Sequence, residues 1–172
     1  MLSGLEIERR VKSNDGIYIE DFDRKRLNPN SYNLRLHPKL QAYRKYHLDM
    51  KKKNEVEDII IPESGYELKP GILYLGRTIE GTSTKGLVPC INGRSSIGRL
   101  GIAVHVTAGF GDNGFSSDFW TLEITAVQPV IIYPNIEICQ IWYEPIEGDP
   151  SIEYNGKYQH KKIMASELYK EL

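Results

Sequence analysis

The alternation of hydrophobic and polar residues predicts a chain built mainly from short β-strands. Strand-like segments recur between residues 58 and 144, and turns rich in glycine or proline separate most of them. These segments are DIII, YEL, ILYLGRT, LVPCI, IAVHV, FWTLEITA, VIIY and IEICQIWYE. Many short strands with turns between them indicate an all-β barrel or sandwich. The chain shows no regular alternation of strands and helices, so the pattern does not predict a parallel nucleotide-binding sheet.

The first residues follow a different pattern, which predicts a short N-terminal helix. Ser3 and Glu6 have the spacing of a capping box, apolar residues follow at helical positions, and the sequence SNDG ends the helix. The alternating segments at 17–19 and 32–36 predict two further strands. In contrast, residues 37–57 form the most polar stretch of the chain, and we interpret them as a solvated loop or excursion.

Length and charge narrow the class of protein. With 172 residues, the chain is long enough for one domain with its own core. A net charge of −1 gives no general attraction to nucleic acid or to an anionic membrane, so any anion site must be local. We find neither an apolar run of about 18 residues nor a signal-peptide pattern. We therefore expect a cytoplasmic protein in which Cys90 and Cys139 are reduced core thiols.

The first candidate for chemistry is the stretch NGRSSIGRLG at residues 92–101. Its glycines allow tight turns, and Arg94 and Arg99 offer permanently charged donors that suit phosphate. Ser95 and Ser96 add hydroxyl donors, and consecutive backbone N–H groups can form an anion-binding nest. The alternative is a surface turn whose arginines pair with nearby carboxylates. The stretch is not a P-loop, because GxxxxGK[ST] is absent.

The second candidate is Glu123, in the segment FWTLEITA. Because side chains alternate along a strand, two faces are expected. One face carries Trp120, Leu122, Ile124 and Ala126, and the other carries Phe119, Thr121, Glu123 and Thr125. If the second face lines a cleft, the carboxylate is placed for proton transfer. The alternative is a strand glutamate that faces solvent.

The third candidate is the segment HVTAGFGDNGF at residues 105–115. Asp112 lies among several glycines, so its carboxylate could reach a ligand hydroxyl in a pocket rich in backbone groups. The alternative is a turn stabilised by an Asx hydrogen bond. His105 lies in an apolar run, and we interpret it as a histidine whose ring is satisfied in the core.

Zinc and serine-nucleophile chemistry are not supported. The histidines at positions 37, 47, 105 and 160 show no ligand spacing, and neither CxxC nor the zinc deaminase pattern occurs. No GxSxG motif is present either. The sequence therefore predicts a site without zinc.

Taken together, the three candidates resemble the dCTP deaminase family of the trimeric dUTPase superfamily. The resemblance rests on NGRSSIGRLGIAVHVTAG, on the Asp-x-Gly-aromatic turn that follows, and on TLE in the next strand. LNPNSYNLRL, the segment that leads into GRSS, IEICQI and YNGKYQ are also similar to family segments, so the resemblance covers nearly the whole chain. Glu123 after TL indicates the deaminase branch.

This resemblance implies a fold and an assembly. It implies a distorted β-barrel of the dUTPase-like (β-clip) type with a short N-terminal helix, formed by a single domain over residues 1–172. Residues 148–172 would be a C-terminal segment that closes over the nucleotide. A homotrimer with shared active sites is expected, together with Mg2+ that is held by the triphosphate rather than by side chains.

The resemblance also implies catalytic roles. Glu123 would pass a proton from water toward the cytosine, and Arg99 would orient it. Ser95 and the backbone carbonyl of Ala108 would hold the water. Asp112 would bind the deoxyribose 3′-hydroxyl. The residues implied in nucleotide binding are Arg94, Ser95, Ser96, Arg99, Asp112, Thr121, Leu122, Glu123, Gln140, Tyr154, Lys157 and Lys161.

Gly109 and Phe110 follow the Thr-Ala pair, which resembles the bifunctional members of the family. This implies conversion of dCTP into dUMP, ammonia and pyrophosphate, with Asp112 also positioning a water at the α-phosphorus. The alternatives are a monofunctional deaminase that releases dUTP, a dUTPase only, and a non-catalytic nucleotide-binding trimer. dTTP is expected to act as a feedback inhibitor at the same site.

Some positions depart from the family pattern. Gly111 stands where an apolar residue is usual, Ser117 where a glycine is usual, and Lys161 where a glutamine is common. Asn135 and Glu137 alter the start of the IEICQI strand, although asparagine tolerates the left-handed backbone that glycine would supply. These departures leave the implied deamination residues intact, but they bear on how the C-terminal segment closes.

Overall fold

The computed structural model describes residues 1–156, 158 and 165–172. Within these residues the strands, in chain order, are β1 (Ile17–Ile19), β2 (Tyr32–Arg35), β3 (Lys39–Tyr43), β4 (Val56–Ile60), β5 (Tyr66–Leu68), β6 (Tyr74–Arg77), β7 (Thr82–Thr84), β8 (Leu87–Gly93), β9 (Ile102–Ala103), β10 (Ser116–Ser117), β11 (Thr121–Ala126), β12 (Val130–Ile132) and β13 (Glu137–Pro145). The helices are α1 (Gly4–Ser13) and α2 (Ser95–Gly98), with 3-10 turns at Arg24–Arg26 and Leu168–Lys170. The prediction of a mainly β chain with a short N-terminal helix is confirmed.

Helix α1 begins and ends where the sequence predicts. The Ser3 hydroxyl accepts a hydrogen bond from the Glu6 amide at 3.2 Å, which satisfies one of the free N–H groups of the first turn. Asn14 follows the last helical residue in a left-handed conformation, with φ at 53°. This conformation ends the helix because it turns the chain out of the helical path.

The strands pair antiparallel throughout the described sheets. The largest sheet has the order β4-β3-β6-β11-β9, and a second sheet has the order β2-β13-β8. Strands β1, β7 and β10 form a third sheet, and β12 pairs with β5. Strand β11 lies between β6 and β9, so its backbone is held from both sides. This central position makes β11 a rigid support for a functional side chain.

The core is formed by one face of each main strand. In β11, Leu122, Ile124 and Ala126 are buried, whereas Thr121, Glu123 and Thr125 are half-buried. The two faces that the sequence predicts for this strand are therefore confirmed. The largest fully buried side chains include Tyr32, Leu34, Leu36, Leu40, Ile91, Leu122, Ile124 and Tyr143.

The prediction of a loop for residues 37–57 is wrong at both ends of that stretch. Strands β3 and β4 form a hairpin there, with Lys39 opposite Ile60 and Tyr43 opposite Val56. Leu40 and Ala42 are buried in the core, while the three residues of β3 that alternate with them are only half-buried. A two-residue apolar alternation is too weak to stand out within such a polar stretch.

The segment IAVHV also differs from its prediction as a full strand. Only Ile102 and Ala103 pair with β11, and the chain then leaves the sheet. The amides of Val106 and Thr107 turn toward the Glu123 carboxylate instead of toward another strand. A side chain thus takes the place of a strand partner.

A buried ion pair connects the sheets near the N-terminus. The carboxylate of Glu80 is fully buried and contacts the guanidinium groups of Arg26 and Arg35. It also accepts a hydrogen bond from the Arg35 amide at 2.8 Å. Charge and hydrogen-bonding capacity are therefore both compensated, as a buried carboxylate requires.

Both cysteines are free thiols, as predicted, but only Cys139 belongs to the core. Burial raises the pKa of the Cys139 thiol well above its ordinary range. Asn135 adopts the left-handed backbone that was expected of it, with φ at 63°. No helix in the described part of the chain is long and apolar enough to cross a membrane.

Candidate active site

A cavity of about 440 Å³ lies between the polar face of β11, the loop at 105–112 and the C-terminal segment. Its volume falls in the range of about 300–1,000 Å³ that is typical of small-molecule sites. Of the residues that the sequence singles out, those that line it are His105, Ala108, Phe110, Gly111, Asp112, Ser117, Phe119, Thr121, Glu123 and Tyr154. The second and third candidates from the sequence therefore share one cavity.

The carboxylate of Glu123 is held by hydrogen bonds to only one of its two oxygens. Its Oε2 atom accepts hydrogen bonds from the amides of Val106 at 2.9 Å and Thr107 at 3.1 Å. Within the described chain, no donor contacts the other oxygen, Oε1. Two bonds on one oxygen fix the direction of the carboxylate. The second oxygen is available to a ligand or a water in the cavity.

The loop at 105–108 is shaped by this contact. Ala108 has a left-handed backbone, with φ at 54°, which is unusual for a residue other than glycine. Both ring nitrogens of His105 are buried, with no hydrogen-bond partner among the described residues. Neither ring nitrogen makes a well-formed hydrogen bond, so the predicted satisfied core histidine is not found, although the Thr107 backbone lies close to the ring. Burial lowers the pKa of His105, and the charge of Glu123 partly opposes this effect.

The next residues of the loop lie against β8. The Gly109 carbonyl accepts from the Ile91 amide at 2.6 Å, and the Gly111 amide donates to the Pro89 carbonyl at 2.7 Å. A Cβ atom on Gly111 would approach Trp120 to 2.8 Å. The glycine that departs from the family pattern is thus required here, because Trp120 occupies the space of a side chain.

Asp112 opens a turn at the rim of the cavity. The Phe115 amide donates to the Asp112 carbonyl at 3.1 Å, so the backbone closes the turn. The Asp112 side chain is exposed. The Phe115 ring packs on Trp120 at 4.6 Å and contacts Tyr154 at 5.9 Å between ring centroids. This turn therefore joins the floor of the cavity to the C-terminal segment.

The C-terminal segment covers part of the cavity. Tyr154 and Tyr158 line it, and further along the chain the Ser166 amide donates to the Tyr43 hydroxyl at 3.2 Å. Ala165 packs against the buried pair of Leu75 and Phe119. The segment thus contacts the cavity at two separate places. Lys157 and Lys161, predicted to contact the nucleotide, lie outside the described residues.

The arginine–serine stretch lies elsewhere in the same chain. Ser95 and Ser96 in α2, and Arg99 directly after it, are exposed and do not line the cavity. The Arg94 guanidinium donates to the Glu137 carbonyl at 2.8 Å and pairs with the Glu137 carboxylate at 3.2 Å. Within one chain, the structure does not bring this stretch to Glu123.

Two other predicted nucleotide contacts lie apart from the cavity. Gln140, in β13, accepts from the Ser31 hydroxyl at 2.9 Å and donates to the Gly93 carbonyl at 3.3 Å, so it contacts the start of the arginine–serine stretch. The Leu122 side chain is fully buried in the core. Only the backbone of Leu122 is therefore available to a ligand.

Sequence reasoning missed several residues of the cavity. Tyr43 and Leu75 come from the hairpin strand β3 and from β6, which no motif marked. Phe119 is not one of these missed residues, because alternation along the strand places it on the same face as Glu123. Asn113, which is buried next to Asp112 but does not line the cavity, was interpreted only as part of a turn.

The fold and the cavity define a class of protein. The fold is similar to a crystal structure of 2'-deoxycytidine 5'-triphosphate deaminase from Agrobacterium tumefaciens, with a TM-score of 0.65. The match covers 84% of this chain and 48% of that chain, at 20% identity, so this chain spans about half of that protein's solved chain. At this identity, the likeness shows the fold.

The family is shown by the sequence. Residues 1–146 match the model of the family described as dCTP deaminase-like, and the chain belongs to this family. Relatives named "dCTP deaminase, dUMP-forming" are 58% identical in Hathewaya histolytica and in Cytophaga hutchinsonii, and 55% identical in Leptospira biflexa. Each alignment covers 99% of this chain and 97–98% of the relative. The family resemblance noted from the motifs is therefore confirmed.

Proposed function

We propose that the chain is a bifunctional dCTP deaminase that converts dCTP into dUMP, ammonia and pyrophosphate. The observation that carries this proposal is the shared cavity, in which Glu123 and Asp112 line the same space. The names of the full-length relatives, which are dUMP-forming dCTP deaminases, support the same reaction. A carboxylate for deamination and a second carboxylate for hydrolysis of the triphosphate would then act on one bound nucleotide.

Glu123 would act as the proton carrier for deamination. Glu123 lines the cavity, and its Oε2 is held by the amides of Val106 and Thr107, which leaves Oε1 without a donor among the described residues. The free oxygen takes a proton from water and passes it to the ring nitrogen N3 while the hydroxide attacks C4 of cytosine. The same carboxylate then carries the proton of the new C4 hydroxyl to the amine, which leaves as ammonia as the C4 carbonyl forms. The backbone carbonyl of Ala108, which lines the same cavity, is a candidate to hold the water. General acid–base transfer of this kind accounts for about 10²–10⁴ in rate.

The part of the active site that binds the triphosphate would come from another subunit. Arg94, Ser95, Ser96 and Arg99 lie outside the cavity of their own chain, which is expected if they complete the site of a neighbour in a homotrimer. Exposed apolar side chains beside the loop at 105–112 support a subunit contact there, including Val106 (63% exposed) and Phe110 (61% exposed). In such a trimer, Ser95 and Arg99 would reach the water and carboxylate of the adjacent cavity. Gln140 would hold the same stretch in place.

A mixing experiment tests the shared site. In homotrimers, Arg99→Ala and Glu123→Gln should each reduce deamination by about 10²–10⁴. Co-expression of both variants should restore part of the activity, because some cavities then receive an intact residue from each chain. No restoration in verified mixed trimers would place both residues in one chain's site.

Mg2+ would be held by the triphosphate rather than by the protein. Among the described residues, no group of three or more histidine, cysteine, aspartate or glutamate side chains is positioned to hold a metal ion. Mg2+ commonly keeps substrate phosphates as ligands, so it needs no such group here. It would neutralise phosphate charge, while Asp112 positions the water for the α-phosphorus and contacts the 3′-hydroxyl.

The C-terminal segment, residues 148–172, would close this site over the nucleotide. Tyr154 lines the cavity, and Lys157 and Lys161, which lie outside the described residues, would contact the phosphates. Thr121 and the backbone of Leu122 would contact the base. dTTP would compete for the same cavity as a feedback inhibitor.

Product analysis tests the proposed function. The purified protein is incubated with dCTP and Mg2+, and ammonia and nucleotides are measured over time. Equal amounts of ammonia and dUMP without free dUTP support the bifunctional reaction. Accumulation of dUTP would instead show a monofunctional deaminase, and hydrolysis of added dUTP without turnover of dCTP would show a dUTPase. Binding without any product would refute catalysis.

A further inference from the structure

Asn113 occupies a central position between three segments that the proposed mechanism does not connect. It follows Asp112 in the turn at the rim of the cavity, and it is 8% exposed. Its neighbours are the turn at Lys85–Gly86, the Asp112 loop itself and the C-terminal segment at 150–154. A buried amide at such a junction needs hydrogen-bond partners.

The partners of Asn113 use both donor hydrogens of its amide and one of the two acceptor positions on its oxygen. Its Oδ1 atom accepts from the Gly86 amide at 2.7 Å. Its Nδ2 atom donates to the carbonyls of Pro150 at 2.8 Å and Ile152 at 3.0 Å. One donor therefore faces the oxygen and two acceptors face the nitrogen, which fixes the orientation of the amide. A carboxylate of the same shape could satisfy only the contact with Gly86.

The backbone at this position strengthens the same junction. The Tyr154 amide donates to the Asn113 carbonyl at 2.6 Å. At Gly114, φ is 80° and a Cβ atom would approach Glu153 to 2.7 Å, so the C-terminal segment passes directly over the turn. Tyr154 in turn lines the cavity beside Asp112. The segment cannot leave the turn without breaking these contacts.

We propose that Asn113 is a positioning residue that couples the C-terminal segment to the Asp112 turn, so that closure over the triphosphate and placement of Asp112 occur together. This inference rests on the proposed function, since it concerns the same site. It assigns to Asn113 a role through its neighbours rather than through contact with substrate. Loss of the coupling should let the segment open and let a dUTP intermediate escape.

Two variants of Asn113 separate the contacts. Asn113→Asp keeps the acceptor for Gly86 and loses both bonds to the C-terminal segment, whereas Asn113→Ala loses all three side-chain bonds without adding charge. Two neutral hydrogen bonds correspond to about a tenfold change in the opening equilibrium. Gln128→Glu serves as the control, because it makes the same amide-to-carboxylate change at an exposed turn position.

Hydrogen exchange measured by mass spectrometry gives the first readout. Peptides covering residues 147–156 should exchange about tenfold faster in both Asn113 variants than in the parent protein or the control. Steady-state kinetics give the second readout. The KM for dCTP should rise about tenfold and free dUTP should appear, while kcat for ammonia release stays within about twofold.

The outcomes separate this inference from the proposed function. Unchanged exchange in both variants would show that Asn113 does not anchor the segment. Faster exchange with unchanged KM and no free dUTP would leave only a structural anchor and overturn the positioning role. An effect on KM in the Asp variant alone would reflect added charge and would also overturn it. If the parent protein does not turn over dCTP, the proposed function fails, and exchange alone decides whether the anchor exists.

Discussion

Replacement of Glu123 by glutamine separates the chemistry of this carboxylate from its role in holding the loop. The amide oxygen of glutamine can still accept from the amides of Val106 and Thr107, which contact Oε2 at 2.9 and 3.1 Å. Exchanging a charged for a neutral acceptor weakens these bonds by about 1 kcal/mol each, which is small compared with the proposed catalytic contribution. The amide nitrogen then faces the cavity, where it cannot take a proton from water.

We therefore expect kcat for ammonia release to fall by about 10²–10⁴, with the dissociation constant for dCTP changed by less than about tenfold. Hydrolysis of added dUTP should persist, because Asp112 remains. Glu67→Gln, the same change at an exposed position in β5, is the control and should match the parent protein. Ammonia is measured by a coupled assay and binding by calorimetry with the inactive variant. Ammonia release within tenfold of the parent rate would refute the proton-carrier role.

Three further predictions concern stability and closure. Glu80→Gln leaves two buried or half-buried arginines without their carboxylate. The free energy of unfolding should therefore fall by about 3 kcal/mol, and Tm in differential scanning calorimetry should fall by about 6–12 °C. An unchanged Tm would contradict this prediction. Tyr43→Phe removes the hydroxyl that accepts the hydrogen bond from the Ser166 amide, and so weakens the contact of the C-terminal segment. The KM for dCTP should rise by about two- to fivefold with kcat unchanged. A fall in kcat without a change in KM would contradict this prediction. Burial, with Arg77 and Lys39 nearby, lowers the pKa of His37 below its ordinary value of 6.5. The folded state therefore binds a proton at His37 less readily than the unfolded state does. The free energy of unfolding should accordingly fall as the pH drops through about 6.5. His37→Gln should reduce this slope in Tm measured from pH 7.5 to 5, and an identical slope would refute the assignment.

The parts of the fold that depend on local pattern could be predicted from the sequence. The Ser3 cap, the left-handed Asn135 and the two faces of β11 follow from single residues or from a period of two. The hairpin of β3 and β4 could not, because its apolar alternation is short and lies among charged residues. The early end of β9 also could not, because it depends on a side-chain contact with Glu123, 16 and 17 positions away.

The candidate site was predictable residue by residue, but not as an arrangement. Glu123 and Asp112 were singled out on separate grounds, and pairing of β9 with β11 brings their segments to one cavity. Asn113 was not recognised, since its role depends on carbonyls of the C-terminal segment that are distant in sequence. Arg94 and Arg99 lie apart from the cavity of their own chain, and their proposed role in a neighbour's site would depend on contacts between subunits that neither local pattern nor spacing encodes.

The central claim is that deamination and triphosphate hydrolysis occur on one bound nucleotide. Radiolabelled dCTP and Mg2+ are given to the protein with a large excess of unlabelled dUTP, and the label is followed during the first turnovers. Because released dUTP would be diluted by the unlabelled pool, direct transfer predicts label in dUMP and none in dUTP. Label that accumulates in dUTP, with dUMP remaining unlabelled, would contradict the account.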